Sequence, residues 1–531
     1  MSHVCLTGFM GAGKSSVGAI VAERLGLPFV DLDRAIEERE NAAVPVIFTT
    51  RGEDGFRAAE SDALTSVLSG PDAVIACGGG IVLKGENRAA MRAAGTVVYL
   101  AVSAEEALAR IGDASGRPLL VGDAARLAPQ ILGARLSLYR ASADVIIDTA
   151  GRSVTDVADE VVAAIRDDAT VRTRVAVSRA HEVVLGRGLI EHLGELVATA
   201  TAARRVAVIT DANVASLLLA GVTRSLEAAG IRCDAVVVPA GEPAKSWRQA
   251  GEVLERLGTS GLGRDGAILA LGGGVVGDLA GFVAATYLRG VDLVHVPTTL
   301  LAQVDSSIGG KTAVDLEAGK NLAGAVWQPA LVVADLGVLG TLPDVEWANG
   351  LAEVAKTALL AGPEETERLE AAAAHLVAED ARAVRDAVSM CVRFKASIVS
   401  TDEREAGVRE CLNLGHTLAH AIERVAGYGS VAHGVAVAEG LRFAATLAEE
   451  VAGAPAELTR RIGSLLDDLG IGRAPRGDLD AAALLEAMRR DKKVRDGRVR
   501  FVLLTAPGAW RVVPVDEAAI MRHLERWLEN G

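Results

Sequence analysis

His3-Val-Cys-Leu-Thr-Gly8-Phe-Met-Gly-Ala-Gly-Lys14-Ser15 holds the pattern on which the reading of this 531-residue chain turns. Residues 3–7 read as a short buried strand, and helical periodicity begins at about Lys14 and runs to Leu25. Between them Gly8–Ser15 fits GxxxxGK[ST], in the strand–turn–helix setting that this pattern requires. Its glycines let successive backbone N–H groups turn toward phosphate oxygens, and the helix N-terminus adds the positive end of its dipole. Lys14 then reaches the β- and γ-phosphates of a nucleotide, and Ser15 ligates Mg²⁺.

Further along, apolar runs at 74–77 and 96–102 are bounded by glycine and alternate with helical patterns. That alternation predicts an α/β domain with a parallel sheet. Ser153 to about Ile165 carries apolar residues at helical spacing behind a Ser-x-x-Asp cap. The polar, aperiodic stretch Arg166–Arg174 then places a domain boundary near 167–174. A fresh strand pattern starts at Val175, with Val206–Thr210, Cys233–Val238 and Ala267–Leu271 as later buried strands. From about Pro343 strand signals nearly vanish and Ala/Leu/Glu-rich helical patterns take over. Three parts are expected: a P-loop α/β domain at 1–168, an α/β part at 169–342 and a mostly helical part at 343–531.

Half of the residues are hydrophobic and 3% aromatic, so the cores must be built from Ala, Val, Leu and Ile. A net charge of −14 disfavours nucleic acid and anionic membrane as partners and leaves small molecules. Five cysteines without a CxxC pair read as reduced thiols. With no signal-peptide pattern and no long apolar stretch, a cytoplasmic protein is expected.

A P-loop names a nucleotide and not its acceptor. Asp31-Leu-Asp33 closes the second strand pattern, which puts both carboxylates on one side of a strand end. Then come Gly52-Glu53, Phe56-Arg57, Glu60, Gly78-Gly79-Gly80 and Gly116-Arg117-Pro118-Leu119, and Arg135 four residues before Tyr139. In this order and spacing, residues 1–167 resemble shikimate kinase. The resemblance implies ATP on Gly11, Ala12, Gly13, Lys14, Ser15 and Ser16, with Arg110 flanking the adenine. It implies Mg²⁺ on Ser15 and, through water, Asp31. Asp33 would hold the shikimate hydroxyls and help deprotonate the attacking one, Arg57 and Arg135 would clamp the carboxylate, and Gly79 and Gly80 would line the pocket. Arg117 would cover the transferring phosphoryl group from a lid. Arginine forks suit a small anionic acceptor, because phosphoryl transfer is mainly positioning and charge neutralisation. Asn41-Ala-Ala-Val-Pro45 departs from the family's usual entry to the substrate helix, and Pro45 is expected to shift that helix start.

A second set of motifs follows. Leu271-Gly272-Gly273-Gly274-Val275-Val276-Gly277-Asp278 closes a strand and opens a helix, which lets a diphosphate approach main-chain amides. Downstream lie Tyr287-Leu-Arg289-Gly290, Thr298-Thr299, Asp305, Gly310-Lys311-Thr312, Gly319-Lys320-Asn321, Glu353-Val-Ala-Lys356, Asn413-Leu-Gly-His416-Thr-Leu-Ala-His420-Ala-Ile-Glu423 and His433-Gly434. His416 and His420 share a helix face one turn apart, and His with carboxylate suits Zn²⁺. From about residue 175 to the C-terminus these segments resemble 3-dehydroquinate synthase. The resemblance implies a Zn²⁺ (or Co²⁺) site on Glu353, His416 and His433, with His420 as a proton and hydrogen-bond group. It implies NAD beside Asp211, Glu242, Lys245, Gly273, Gly274, Val275, Val276, Gly277, Asp278, Thr298, Thr299, Lys311, Lys320 and Thr341. The phosphorylated seven-carbon substrate would meet Arg289, Asp305, Lys311, Lys320, Asn321, Lys356, Lys395, Arg409, Asn413 and Lys492, with Lys311, Lys356 and Arg409 acting in catalysis. A homodimer through this half is expected. Val435, Glu439 and Gly340 depart from the family's usual residues without removing a ligand.

Rival readings remain at this level. The second enzyme could be a sibling sugar-phosphate cyclase or, with fewer phosphate-facing lysines needed, a polyol dehydrogenase. The first domain could be a gluconate-type kinase or a nucleotide-sensing module without catalysis. Asn321, Lys356 and Arg409 favour the synthase, and Lys14, Asp33, Arg117 and Arg135 favour an active kinase.

Overall fold

Uncharged, branched runs between glycines become the strands of two large sheets, with two hairpins beside them. The computed structural model describes residues 3–111, 123–165, 170–427, 429–490 and 498–529. Its contacts divide the chain into two units, Met1–Ala169 and Thr170–Gly531.

The first unit holds β1 (His3–Thr7), β2 (Phe29–Asp31), β3 (Val74–Ala76), β4 (Gly95–Ala101) and β5 (Val145–Asp148). They form one parallel sheet in the order β2-β3-β1-β4-β5. Every residue of β1 is buried, as expected for a central strand covered on both faces. On one face Val17 and Val21 of the helix Lys14–Leu25 pack with Val157 and Val161 of the helix Val154–Ile165. On the other, Ile47, Phe56 and Leu64 of the helix Val44–Leu68 pack on Cys5, Ile75 and Val97. The glycine turn leaves the C-terminal end of β1, where ligands bind in open α/β sheets.

Two details differ from the sequence reading. Asp31 ends β2, but Asp33 lies in the first turn of the next helix, Leu32–Glu40. The Asp31 side chain caps that helix by accepting from the backbone N–H groups of Asp33 and Arg34, which starts the helix two residues earlier than strand alternation implied. Pro45 sits in the first turn of the helix Val44–Leu68, where its missing N–H costs nothing, and Glu37 Oε1 accepts the Val44 N–H at 2.9 Å. The same helix breaks at Gly52, whose φ of 70° is open to glycine at little cost. That break re-aims the segment carrying Glu53, Arg57 and Glu60.

The second unit contains β6 (Val171–Val175), β7 (His181–Gly186), β8 (Arg205–Asp211), β9 (Arg232–Val238), β10 (Ala267–Gly272), β11 (Asp292–Pro297), β12 (Lys311–Leu316), β13 (Gly319–Val326), β14 (Leu331–Asp335), β15 (Arg500–Ala506) and β16 (Ala509–Pro514). Seven form a sheet in the order β6-β7-β14-β11-β10-β8-β9, parallel except for the β6–β7 pair. The new strand pattern thus begins at Val171 and not at Val175. Val171–Arg174, read as part of a polar boundary, is an edge strand whose alternate side chains face water, and that hides its apolar signal. β12 and β13 form a separate hairpin.

Beyond Pro343 the chain is mainly helical, and Leu351, Val388, Leu418 and Val437 from four helices share one core. The hairpin β15–β16 corrects the expectation that strands nearly vanish there. Its residues Phe501 and Leu503 are buried in the same helical core. No helix among the described residues is long and apolar enough to cross a membrane.

Candidate active sites

In the first unit, Gly8, Gly11 and Gly13 take φ values of 145°, 79° and 86°. A Cβ on Gly11 would come within 2.6 Å of the Ala107 carbonyl, so the turn closes only on glycine. Lys14 Nζ donates to the Gly8 and Phe9 carbonyls at 3.0 Å each, which curls the ammonium over the loop's concave side. Ser15 Oγ donates to Asp31 Oδ2 at 2.7 Å, so a hydroxyl and a carboxylate already face each other where a divalent ion would need them. Arg110 is tied to Thr149 and Glu106. Arg117 lies outside the described residues.

Arg57 and Arg135 are buried beside the second glycine run. Arg135 Nη1 donates to the Gly79 carbonyl at 3.1 Å, and the Tyr139 hydroxyl donates to the same oxygen. Arg57 Nη1 donates to Glu60 Oε2 at 2.7 Å and Nη2 to Glu53 Oε1 at 3.1 Å. Gly80 lies flat against that guanidinium, since an added Cβ would sit 2.1 Å from Arg57 Nη1. Gly78 does the same for carboxylates: its absent Cβ would meet Glu60 Oε1 at 2.6 Å and Asp33 Oδ1 at 3.1 Å. Glu60 is fully buried, and burial pushes its carboxyl above the ordinary range. Glu60 carried no assigned role in the sequence reading, because its one-turn relation to Arg57 looks like any helix ion pair until both prove buried.

In the second unit a cleft of about 1040 Å³ is lined by Asp211, Glu242, Lys245, Gly273, Gly274, Val275, Val276, Asp278, Thr298, Thr299, Asp305, Lys320, Asn321, Thr341, His420 and His433. Gly277 is in the same turn but not on the wall. Gly273 packs on Thr299, where a Cβ would stand 3.0 Å from Cγ2. Lys245 Nζ pairs with Asp278 at 2.6 Å and Lys320 Nζ with Glu242 at 3.1 Å, so these two ammoniums of the wall are held by carboxylates.

Glu353, His416 and His433 come together, with one ligand atom from each within 4.8 Å of the others, and His433 joins the trio to the cleft wall. Glu353 Oε1 is 3.4 Å from His416 Nε2 and 3.7 Å from His433 Nε2. The other ring nitrogens are engaged: His416 Nδ1 lies 3.1 Å from the Leu414 carbonyl and His433 Nδ1 3.3 Å from Glu423 Oε1. That arrangement turns both Nε2 atoms toward Glu353 Oε1, the usual outer-partner logic of a metal site. Glu353 is 1% exposed; its Oε2 is ion-paired with the Lys356 ammonium, and its Oε1 faces the two imidazoles. Burial opposes charge on His433, yet the facing carboxylates of Glu353 and Glu423 outweigh it and lift the group to about 10. A buried carboxylate whose Oε1 faces two oriented imidazoles suits a divalent cation. His420 is edge-on to His416, ring centres 5.4 Å apart, and belongs to the wall and not to the trio.

Behind the wall, Lys395 Nζ donates to Asp305 Oδ1 and to the Asp305 carbonyl at 2.7 Å, and Lys356 Nζ stands 3.8 Å from the same carboxylate oxygen. Burial works against the Asp305 charge, but the two ammoniums outweigh it and hold the carboxyl well below its usual range. Arg409 is 2% exposed and donates to the Gly309 carbonyl at 3.0 Å and the Glu403 carbonyl at 2.5 Å. Lys311 and Asn413 meet at Glu405, whose Oε2 and Oε1 lie 2.5 and 3.0 Å away. Glu405, at φ 58°, was not singled out from sequence; its loop position gives no periodic signal. Arg289, exposed and at φ 68°, does not line the cleft, and Lys492 lies outside the described residues.

Family models assign these two regions separately. One described as Shikimate kinase matches residues 10–166. Those of 3-dehydroquinate synthase, N-terminal and C-terminal, match residues 235–349 and 350–494. The 3-dehydroquinate synthase of Rhodospirillum rubrum is 45% identical over 355 residues, which is 65% of this chain and 92% of that protein. That of Cereibacter sphaeroides is 46% identical over 337 residues, 62% and 91% of the two chains. Among solved structures, a 2-deoxy-scyllo-inosose synthase complexed with carbaglucose-6-phosphate, NAD⁺ and Co²⁺ shares 25% identity and a TM-score of 0.63, covering 67% of this chain and 99% of its own. The chain therefore belongs to the 3-dehydroquinate synthase family through its second unit, and it carries a shikimate kinase ahead of it.

Proposed function

We propose that the two sites work as separate active sites on one chain, with roles that follow from what each side chain touches. In the kinase, backbone amides of Gly11–Ser16 and the Lys14 ammonium receive the nucleotide phosphates, and Ser15 with Asp31 holds Mg²⁺. Asp33 and the buried pair Arg57–Glu60 border the acceptor pocket with Gly79, Gly80 and Arg135. Arg57 and Arg135 take the carboxylate of shikimate, and Asp33 accepts the proton of the attacking hydroxyl. Arg117 covers the charge of the transferring phosphoryl group.

In the synthase, Glu353, His416 and His433 hold Zn²⁺ or Co²⁺, and the wall from Asp211 through Asp278 to Thr299 receives NAD. The metal supplies Lewis acidity toward a substrate oxygen, and NAD supplies a transient oxidation that is reversed within the cycle. Lys356, Lys395 and Arg409 present buried positive charge against a substrate bearing phosphate and carboxylate, 3-deoxy-D-arabino-heptulosonate 7-phosphate. Lys311, Lys320, Asn321 and Asn413 bind its polar groups, and His420 accepts or returns a proton at the cleft wall. Phosphate leaves, and 3-dehydroquinate is the product.

The observation that carries this reading is the buried carboxylate of Glu353, whose Oε1 faces two imidazoles with their outer nitrogens already engaged. Glu353→Gln keeps the shape and removes the charge. Bound zinc, counted by atomic emission, should fall below a tenth of an equivalent with cyclisation lost. Full zinc occupancy in that variant would overturn the ligand assignment.

We further propose a cytoplasmic homodimer joined through the synthase half, with small molecules and neither nucleic acid nor membrane as partners. The exposed side chains Trp247, Leu316 and Val326 around the β12–β13 hairpin support such a contact. Sedimentation equilibrium at twice the chain mass supports the dimer, and a monomer at micromolar concentration refutes it.

A further inference from the structure

Asp315 is not on the cleft wall, yet it joins two elements that are. It sits at a register shift between Val314 and Leu316 in the β12–β13 hairpin, which turns its backbone outward from the ladder. Its N–H donates to the Lys245 carbonyl at 2.8 Å, and Ser246 bridges it in parallel, so the hairpin is tied to the loop that carries Glu242 and Lys245. Its Oδ1 accepts the backbone N–H of Asn321 at 2.8 Å. Asn321 stands at φ 57°, a left-handed conformation that a non-glycine residue keeps only when its surroundings hold it there. The hydrogen bond to Asp315 is the contact that does so. Lys320, the neighbour of Asn321, is meanwhile paired to Glu242 across the same gap.

We propose that Asp315 is a positioning residue for the synthase: it locks the Lys320–Asn321 turn in the conformation that meets substrate, and anchors that turn to the loop that meets NAD. This rests on the reading of Lys320 and Asn321 as substrate contacts. Without the carboxylate the turn relaxes toward ordinary φ values, and Asn321 leaves the wall while the chemistry farther in, at Glu353 and Lys356, is untouched. The loss therefore falls on substrate binding more than on turnover.

The test measures KM for the heptulosonate phosphate, kcat and Tm in the full chain for Asp315→Ala, Asn321→Ala and the double variant. Asp315→Ala should raise KM about tenfold, the scale of one lost hydrogen bond to a positioned group, with kcat changed less than about threefold. Because Asp315 acts through the turn that carries Asn321 and Lys320, the double variant should raise KM by less than the product of the two single effects. Asp315→Asn, which keeps an acceptor oxygen, should return KM to within about twofold of the parent. Should the alanine variant fold poorly, Asp315→Ser, too short to reach Asn321, must show the same rise. An unchanged KM in Asp315→Ala or Ser, or additive effects in the double variant, overturns the proposal. An unchanged KM in Asn321→Ala refutes instead the reading of the turn as a substrate element.

Discussion

Acid should destabilise the synthase unit through a histidine that takes no part in its chemistry. His295 lies on β11, 5% exposed, with the backbone of Gly277 against its ring. Burial pushes it down to about 4, and the nearby His181 adds a smaller push in the same direction. In the unfolded chain it titrates near 6.5, so as pH falls the unfolded state takes up the proton first. Its contribution to stability is therefore complete above about pH 6.5 and is lost on acidification toward pH 4. At about 1.4 kcal/mol per pH unit, the loss between pH 7.5 and pH 4.5 comes to about 2–3 kcal/mol from this group. All five tryptophans, at 247, 327, 347, 510 and 527, lie in the second unit, so tryptophan fluorescence in urea reports on that unit alone. His295→Asn removes the titrating ring and should lose about 2–3 kcal/mol less than the parent over the same pH range. His181, also held below its ordinary value by burial, will leave some acid dependence in both proteins. Equal losses in parent and variant would refute the reasoning.

Two predictions concern the kinase. Asp33→Asn keeps a hydrogen-bond acceptor but neither charge nor basicity, so turnover should fall at least about a hundredfold while nucleotide affinity stays within about twofold; unchanged turnover would make Asp33 a purely structural residue. Gly80→Ala drives a methyl into a guanidinium pinned by Glu53 and Glu60, so KM for shikimate should rise about tenfold or more with nucleotide KM unchanged, and an unaltered shikimate KM would remove Arg57 from the pocket.

The phosphate turn was legible because its glycines have no alternative: only they take the φ values at Gly11 and Gly13, and only Gly11 clears the Ala107 carbonyl. The strands His3–Thr7 and Ala267–Gly272 were legible because burial on both faces writes them as continuous apolar runs. Val171–Arg174 was not, because an edge strand alternates and its charged half resembles a linker. Asp33 was misplaced by one element, since nothing in Asp-Leu-Asp tells a strand end from a capped helix start until the Asp31 side chain is seen to accept two backbone N–H groups. Glu405 and Glu60 escaped for a related reason. Each gains meaning from partners far along the chain or from burial, as with the 94 residues between Glu405 and Lys311.

The claim that one chain holds two independent active sites is tested most directly by a crossed assay. Lys14→Met and His416→Ala are each measured for shikimate phosphorylation and for 3-dehydroquinate formation. Lys14 donates to its own phosphate loop, and His416 belongs to the Glu353–His416–His433 trio of the other unit. The account predicts that Lys14→Met abolishes phosphorylation and leaves cyclisation within about twofold of the parent, while His416→Ala does the reverse. Parallel loss of both activities in either variant would contradict it.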